Sequence, residues 1–266
     1  MSLWPRSFVL SCGVPLFGAV VSVSLAIGGE IPLSERMSGY DFMSRGTQAM
    51  QDDDSANPAM LSVLDGEALW NAADGATSKS CADCHGDARL SMKGVAARYP
   101  AIDRAGSRPV DIATRVNICR AEQQKANPLP LEGKKLLAIS SYIGLQSRGM
   151  PIGVAIDEGT RPFLQSGREM FFQRQGQLNL SCAQCHDDNW GQKLSGAPIP
   201  QGHPTGYPLY RLEWQSLGSI QRRLRNCLIG MRAEPYPYGA QEYVVLELYL
   251  MWRARGMKME SPAVRP

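Results

Sequence analysis

The sequence predicts a mainly α protein built as two tandem domains related by an internal duplication. Three observations lead there. A five-residue motif occurs twice, as Cys81-Ala82-Asp83-Cys84-His85 and as Cys182-Ala183-Gln184-Cys185-His186. The surroundings of the motif repeat with it. Gly66-Glu67-Ala68-Leu69-Trp70 precedes the first copy and Gly167-Arg168-Glu169-Met170-Phe171 the second; Cys119 answers Cys227; Tyr142 with Arg148-Gly149-Met150 answers Tyr249 with Arg255-Gly256-Met257. A period of roughly 100 residues is too long for a solenoid and suits two small domains. Finally, Leu136, Leu137, Ile139, Ser140 and Ile143 have helical spacing, as do Val245, Leu246, Leu248, Tyr249 and Trp252, whereas strand signals are weak.

The elements follow in chain order. Arg6 precedes an apolar stretch from Phe8 to about Ala26 that ends in Ser24-Leu25-Ala26. A positive start, a short apolar core and a small-x-small end predict a secretory signal peptide over residues 1–26. Ser11, Gly13, Pro15 and Gly18 interrupt that stretch and make it a poor permanent span, so no membrane span is expected in the mature chain. Cleavage removes Cys12 and Arg6, leaving six of the seven cysteines and lowering the formal charge from +3 by one. No long single-sign run remains, so neither nucleic acid nor an anionic membrane is an expected partner. Export places the cysteines in an oxidising compartment, where they serve as disulfides, cofactor links or ligands. Residues 27–60 are mostly polar, include Asp52-Asp53-Asp54, and are expected to form an N-terminal arm. Domain 1 spans 61–152 and domain 2 spans 163–266, with Pro151 to Pro162 as the linker. Each unit reads as a helix, the motif, a long irregular loop, a helix carrying the lone cysteine, and a closing helix. A composition that is 44% hydrophobic and 20% charged excludes disordered, collagen-like and polytopic membrane chains.

C-x-x-C-H is the attachment signature of haem c. Two thiols three positions apart on one turn of chain each add to a vinyl group of one porphyrin, and the next residue carries an imidazole under the iron. The two copies therefore predict two covalently bound haem c groups in two cytochrome c-like haem domains. Cys81, Cys84, Cys182 and Cys185 are the attachment residues, and His85 and His186 the proximal iron ligands. A redox dithiol or a zinc site would leave the adjacent histidine unexplained in both copies.

The far side of each iron is less determined. Ligation by two histidines at both irons needs four histidines, and the chain has three. The spare one, His203, lies in the loop Pro200-Gln201-Gly202-His203-Pro204 and reads as a surface residue or a neighbour of a ligand. Cys119 and Cys227 each fall once per repeat, downstream of the proximal histidine, where small cytochromes place their distal ligand. Thiolate ligation, a disulfide between the two, and inert thiols compete. Met92, Met150, Met231 and Met257 are the alternative ligands. At about 100° per residue, Leu217, Ile220, Leu224 and Cys227 share one helical face, as do Ile112, Val116 and Cys119. Arg223 stands one turn before Cys227, and Arg115 one turn before Cys119. Such a guanidinium favours a thiolate. It is also suited to holding an anionic substrate, or a haem propionate. The equal spacing does not say which of the two sites is reactive.

With these residues in place, the chain resembles the SoxA family, the dihaem subunits of SoxAX cytochromes (L-cysteine S-thiosulfotransferase). The resemblance rests on the two motifs, on one further cysteine after each, and on Arg223-Leu224-Arg225-Asn226-Cys227-Leu228-Ile229-Gly230-Met231-Arg232, and it covers about residues 40 to 258. It implies a periplasmic sulfur-oxidation enzyme that joins thiosulfate oxidatively to a cysteine of a carrier protein, SoxYZ, and passes two electrons to haem. It further implies a monohaem partner subunit, SoxX, in a heterodimer and an electron-accepting cytochrome c. In this reading Cys227 is both iron ligand and reactive sulfur, often a persulfide, Arg223 binds substrate, and Cys119 ligates a non-catalytic iron. A thiosulfate dehydrogenase forming tetrathionate, and a dihaem electron carrier without enzymatic activity, are the alternatives.

Overall fold

The structure is a computed structural model that describes Met1, residues 31–103 and residues 105–266. The predicted signal peptide, apart from Met1, and the first four residues of the predicted arm lie outside the described residues.

Ten helices occur among the described residues: α1 (Arg45–Asp52), α2 (Ala59–Asn71), α3 (Cys81–His85), α4 (Ala88–Ser91), α5 (Ile112–Cys119), α6 (Lys134–Leu145), α7 (Arg161–Phe172), α8 (Cys182–His186), α9 (Ile220–Gly230) and α10 (Gln241–Arg253). The order α2-α3-α5-α6 recurs as α7-α8-α9-α10. Each repeat is built on one helix crossing. In the first, Gly66 of α2 lies so close to α6 that a Cβ there would overlap the Ala138 carbonyl; in the second, Gly167 of α7 lies equally close to the Val245 carbonyl on α10. Glycine is required at both crossings because only its missing side chain admits the facing backbone. Around the first crossing pack Val63, Trp70, Leu136, Ile139, Tyr142 and Ile143; around the second, Phe171, Leu246, Tyr249 and Leu250.

Local signals start the remaining helices. Ser80 caps α3 and Ser181 caps α8 as reciprocal boxes: Ser80 accepts from Asp83 N (3.0 Å) while its own N–H donates to the Asp83 carboxylate (2.7 Å), and Ser181 and Gln184 do the same. Asp111 caps α5 and Ser219 caps α9.

Short strands appear where the sequence predicted only irregular loop. They are β1 (Ala101–Asp103), β2 (Arg108–Val110), β3 (Lys193–Leu194), β4 (Ala197–Pro198), β5 (Leu209–Arg211), β6 (Ser216–Gly218) and β7 (Ala263–Arg265). The hairpin β1–β2 pairs Ala101 with Val110, and β5–β6 pairs Leu209 with Gly218. Strands of two or three residues leave no periodic pattern to read. Leu217, predicted on the helical face of Cys227, lies instead in β6; the helix starts only after the Ser219 cap.

The predicted arm is not an extended polar tail over its described part. It forms two 3-10 turns and α1, and it docks on the C-terminal strand. Gln51 accepts from Val264 N (3.1 Å), Asn57 donates to Pro262 O (3.1 Å), and Met37 N donates to Gln201 (2.7 Å). The linker is also packed: Ile152 is buried and its N–H donates to Met257 O (2.8 Å). β7 runs parallel to β5 in the three-stranded sheet β6-β5-β7, with Arg211 opposite Arg265.

A cavity of about 800 Å³ lies between the repeats. It is lined by matching pairs: Tyr99 and Tyr207, Ile112 and Ile220, Ser140 and Glu247. Ser140 Oγ and Glu247 Oε2 are both buried there without hydrogen-bond partners. Among the described residues no helix is long and apolar enough to cross a membrane.

Candidate haem and thiosulfate site

Two further cavities open beside the C-x-x-C-H helices. The first, about 870 Å³, is lined by Cys81, Cys84 and His85 of α3, by Cys119 and Arg115 of α5, and by Trp70, Val116, Ile139 and Ile143. The second, about 1120 Å³, is lined by Cys182 and His186 of α8, by Cys227 and Arg223 of α9, and by Phe171, Leu224, Leu246 and Leu250. Cys185 is half-buried on the same turn as Cys182. Each cavity thus has an imidazole and attachment thiols on one side, apolar walls, and one further cysteine from another helix. Those walls and donors fit a porphyrin: each site is an apolar concavity with a few convergent polar groups, and the donor set is that of a covalently held iron macrocycle.

The second site is held more tightly. The His186 Nδ1 donates to Pro200 O (2.7 Å). A carbonyl only accepts, so Nδ1 carries the proton and Nε2 keeps its lone pair for a metal. Gly202, at φ +77°, folds the loop over that ring; a Cβ there would sit 3.1 Å from it. His203, in the same loop, is 8% exposed and lines the cavity, so its surface reading is corrected. Its Nδ1 donates to Met37 O (2.9 Å), and burial pushes its pKa down to about 4, which leaves it neutral. His85 is exposed and its ring packs against Trp70, at 5.7 Å.

The two distal cysteines differ in charge environment. Burial raises Cys119, and the charge of Arg115 and its hydrogen bond to the sulfur offset this only in part. The Arg115 guanidinium donates to Asp103 at 2.5 Å in a pair whose side chains are 31% and 13% exposed. Burial also pushes Cys227 up, yet its pKa ends below the usual thiol value, because the His186 ring, Arg223 and Arg211 together favour the thiolate. Arg223 lines the cavity of Cys227 and makes no ion pair among the described residues.

Cys119 and Cys227 lie in separate cavities and form no disulfide. Of the four methionines weighed, Met92 lines the first cavity; Met150 lies beside Gly94 and lines neither haem cavity; Met231 is buried against Leu228 and Tyr243, and Met257 packs between the repeats. The residues that sequence reasoning did not single out are Arg211, Tyr207 and Arg265, all on the second cavity. Arg265 is tied to Glu260 and Gln51.

The comparisons agree with this architecture. The family model "SoxA/TsdA, cytochrome c domain" matches residues 65–152 and 166–259. The class is thereby set: a c-type cytochrome with two such segments, a domain type that carries covalently bound haem c. The L-cysteine S-thiosulfotransferase subunit SoxA of Pseudaminobacter salicylatoxidans is 37% identical over 235 residues, which is 88% of this chain and 82% of that protein. The SoxA subunit of Rhodovulum sulfidophilum is 34% identical over 96% of both chains. The crystal structure of SoxXA from Paracoccus pantotrophus superimposes with a TM-score of 0.84 at 35% identity, covering 87% of each chain. The chain belongs to the SoxA family of L-cysteine S-thiosulfotransferase subunits.

Proposed function

We propose that the chain is the dihaem subunit of a periplasmic enzyme that joins thiosulfate to a cysteine of a SoxYZ-type carrier, and that the second repeat, 163–266, holds the reactive site. The observation that carries this reading is the contrast between the two arginines. Arg115 is ion-paired with Asp103, whereas Arg223 lines the same cavity as Cys227 and makes no ion pair among the described residues.

In this proposal Cys81 and Cys84 would attach one haem c in the repeat 61–152, with His85 and Cys119 placed to ligate its iron. Cys182 and Cys185 would attach the other, with His186 and Cys227. The net reaction is carrier–SH plus thiosulfate, a dianion, going to carrier–S–S–SO3⁻ with release of one proton and two electrons. Haem c, when bound, would supply one-electron redox chemistry for the two electrons released. Arg223 binds the sulfonate oxygens through charged hydrogen bonds. Cys227 provides the sulfur, as thiolate or persulfide, that exchanges with substrate sulfur by thiolate attack. The apolar walls exclude water, which strengthens every charge interaction inside. A monohaem SoxX subunit completes a heterodimer, and a cytochrome c takes the electrons onward.

The test is the heterodimer with carrier and thiosulfate, read by mass spectrometry of the carrier cysteine. Addition of one thiosulfate, dependent on Cys227, is the expected result. Tetrathionate formed without carrier, or full transfer by Cys227→Ala, overturns the reading.

A further inference from the structure

The two hairpins place one residue of each repeat at the same point. Residues of the distal helices correspond at a constant offset of 108 (115 to 223, 119 to 227), and the strand registers extend it to 103 and 211. Asp103 closes β1 and Arg211 closes β5. A carboxylate next to the arginine of the first site is therefore replaced by a second guanidinium at the second site.

The surroundings of Arg211 show what that exchange does. It lines the cavity of Cys227 together with Arg223, and its side chain is 16% exposed. Its own carboxylate partner, Glu213 at 2.9 Å, is 65% exposed and does not line the cavity. Arg211 and Arg223 thus line one apolar cavity, beside Arg265, which Glu260 pairs, and among the described residues no Asp or Glu side chain lines it. Burial and then the nearby Arg223 charge both push the Arg211 pKa down, so the pair repel and an anion placed between them would relieve both.

Resting on the thiosulfate reading of this site, we propose that Arg211 is a second anion anchor, and that Arg211 and Arg223 together select a small divalent oxyanion over a monovalent one. Two guanidiniums match two negative charges and offer paired donors to the sulfonate oxygens. The equivalent pair in the first repeat, Asp103 with Arg115, has no charge left for such a ligand. The exchange at this one position separates a binding site from a site closed to anions.

The experiment uses the haem-loaded heterodimer with carrier. Arg211→Gln is expected to raise the KM for thiosulfate about 10- to 100-fold, the loss of charged hydrogen bonds. The KM for methanethiosulfonate, a monoanion, should change less. Arg211→Lys should recover much of the loss, and Arg211→Asp, which recreates the Asp103 arrangement around Arg223, should lose more than Arg211→Gln. Calorimetric binding of sulfate, an unreactive dianion, should weaken in parallel in the same variants. An unchanged KM and sulfate affinity in Arg211→Gln, or an equal loss for both anions, overturns the assignment. If Arg211→Gln does not fold, the comparison of Arg211→Lys with Arg211→Asp decides: loss of affinity as severe in Arg211→Lys as in Arg211→Asp, despite the kept charge, is incompatible with an anion anchor. Cys227→Ala in the same assay separates the two levels, since full transfer by that variant would sink the thiosulfate reading itself.

Discussion

The two repeats share a backbone and differ in what surrounds one sulfur. Both present a cysteine at or near the end of a capped helix, an arginine one turn before it and a hairpin alongside. In the first, the hairpin contributes Asp103, the arginine is bound, and burial keeps Cys119 raised. In the second, it contributes Arg211, and Cys227 is lowered despite burial. The repeats are equivalent scaffolds, and the side chains around each sulfur, Asp103 and Arg115 in one and His186, Arg223 and Arg211 in the other, give the two thiols different electrostatic surroundings. Fold and chemistry are separable here, and each can be perturbed alone.

The largest expected effect is the most asymmetric. Cys227→Ala should abolish thiosulfate transfer, while Cys119→Ala should largely spare it, measured as thiosulfate added to the carrier cysteine; equal loss in both would erase the distinction. The opposite pattern is expected at the helix crossings. Gly66→Ala and Gly167→Ala each drive a Cβ into a backbone carbonyl, costing about 1–3 kcal/mol or more, with similar falls in melting temperature. A much smaller fall for one would show that the repeats are not mechanically equivalent. Arg223→Ala should weaken thiosulfate binding by about 1.5–3 kcal/mol, seen as a higher KM, whereas Arg115→Ala should leave the KM unchanged.

The smallest effect is a pH dependence that distinguishes Glu247 from its counterpart Ser140. Burial, with the nearby Asp111 charge, holds the Glu247 carboxyl protonated well above its ordinary value of 4.5. Above that pH the folded chain binds more protons than the unfolded one. Stability therefore falls as pH rises, by about 1.4 kcal/mol per unit, until the carboxyl ionises within the fold. Glu247→Gln removes this dependence. Thermal melts should show no gain for the variant near pH 4 and a higher melting temperature than the parent at pH 8; identical curves at both values would refute it.

Several residues that the structure gathers around the two cavities were legible from local spacing alone. Cys81, Cys84, His85 and their counterparts needed no tertiary information, and helical periodicity brought Cys119 and Cys227 into view. The closing helices were legible from their apolar faces. The hairpins were not, since strands this short are defined by partners distant in sequence, and so Leu217 was placed on the wrong element. Asp103 and Arg211 were hidden for the same reason. The alignment of Cys119 with Cys227, carried back through the loops, would have exposed their charge reversal. His203, in a Pro/Gly-rich loop, was legible only as a surface residue or a neighbour of a ligand; the loop, with Gly202 at positive φ, carries it to the cavity and leaves the second of these.

The docked N-terminal segment changes what the duplication means. Gly39, Phe42 and Met43 line the second cavity, although in sequence they stand before the first repeat. The second half thus borrows part of its wall from the far end of the chain, and the halves are not interchangeable modules. A gene split between the repeats would yield a C-terminal fragment whose pocket gapes on one side. Any attempt to dissect this chain into single-haem pieces must carry that leading segment along with the trailing half.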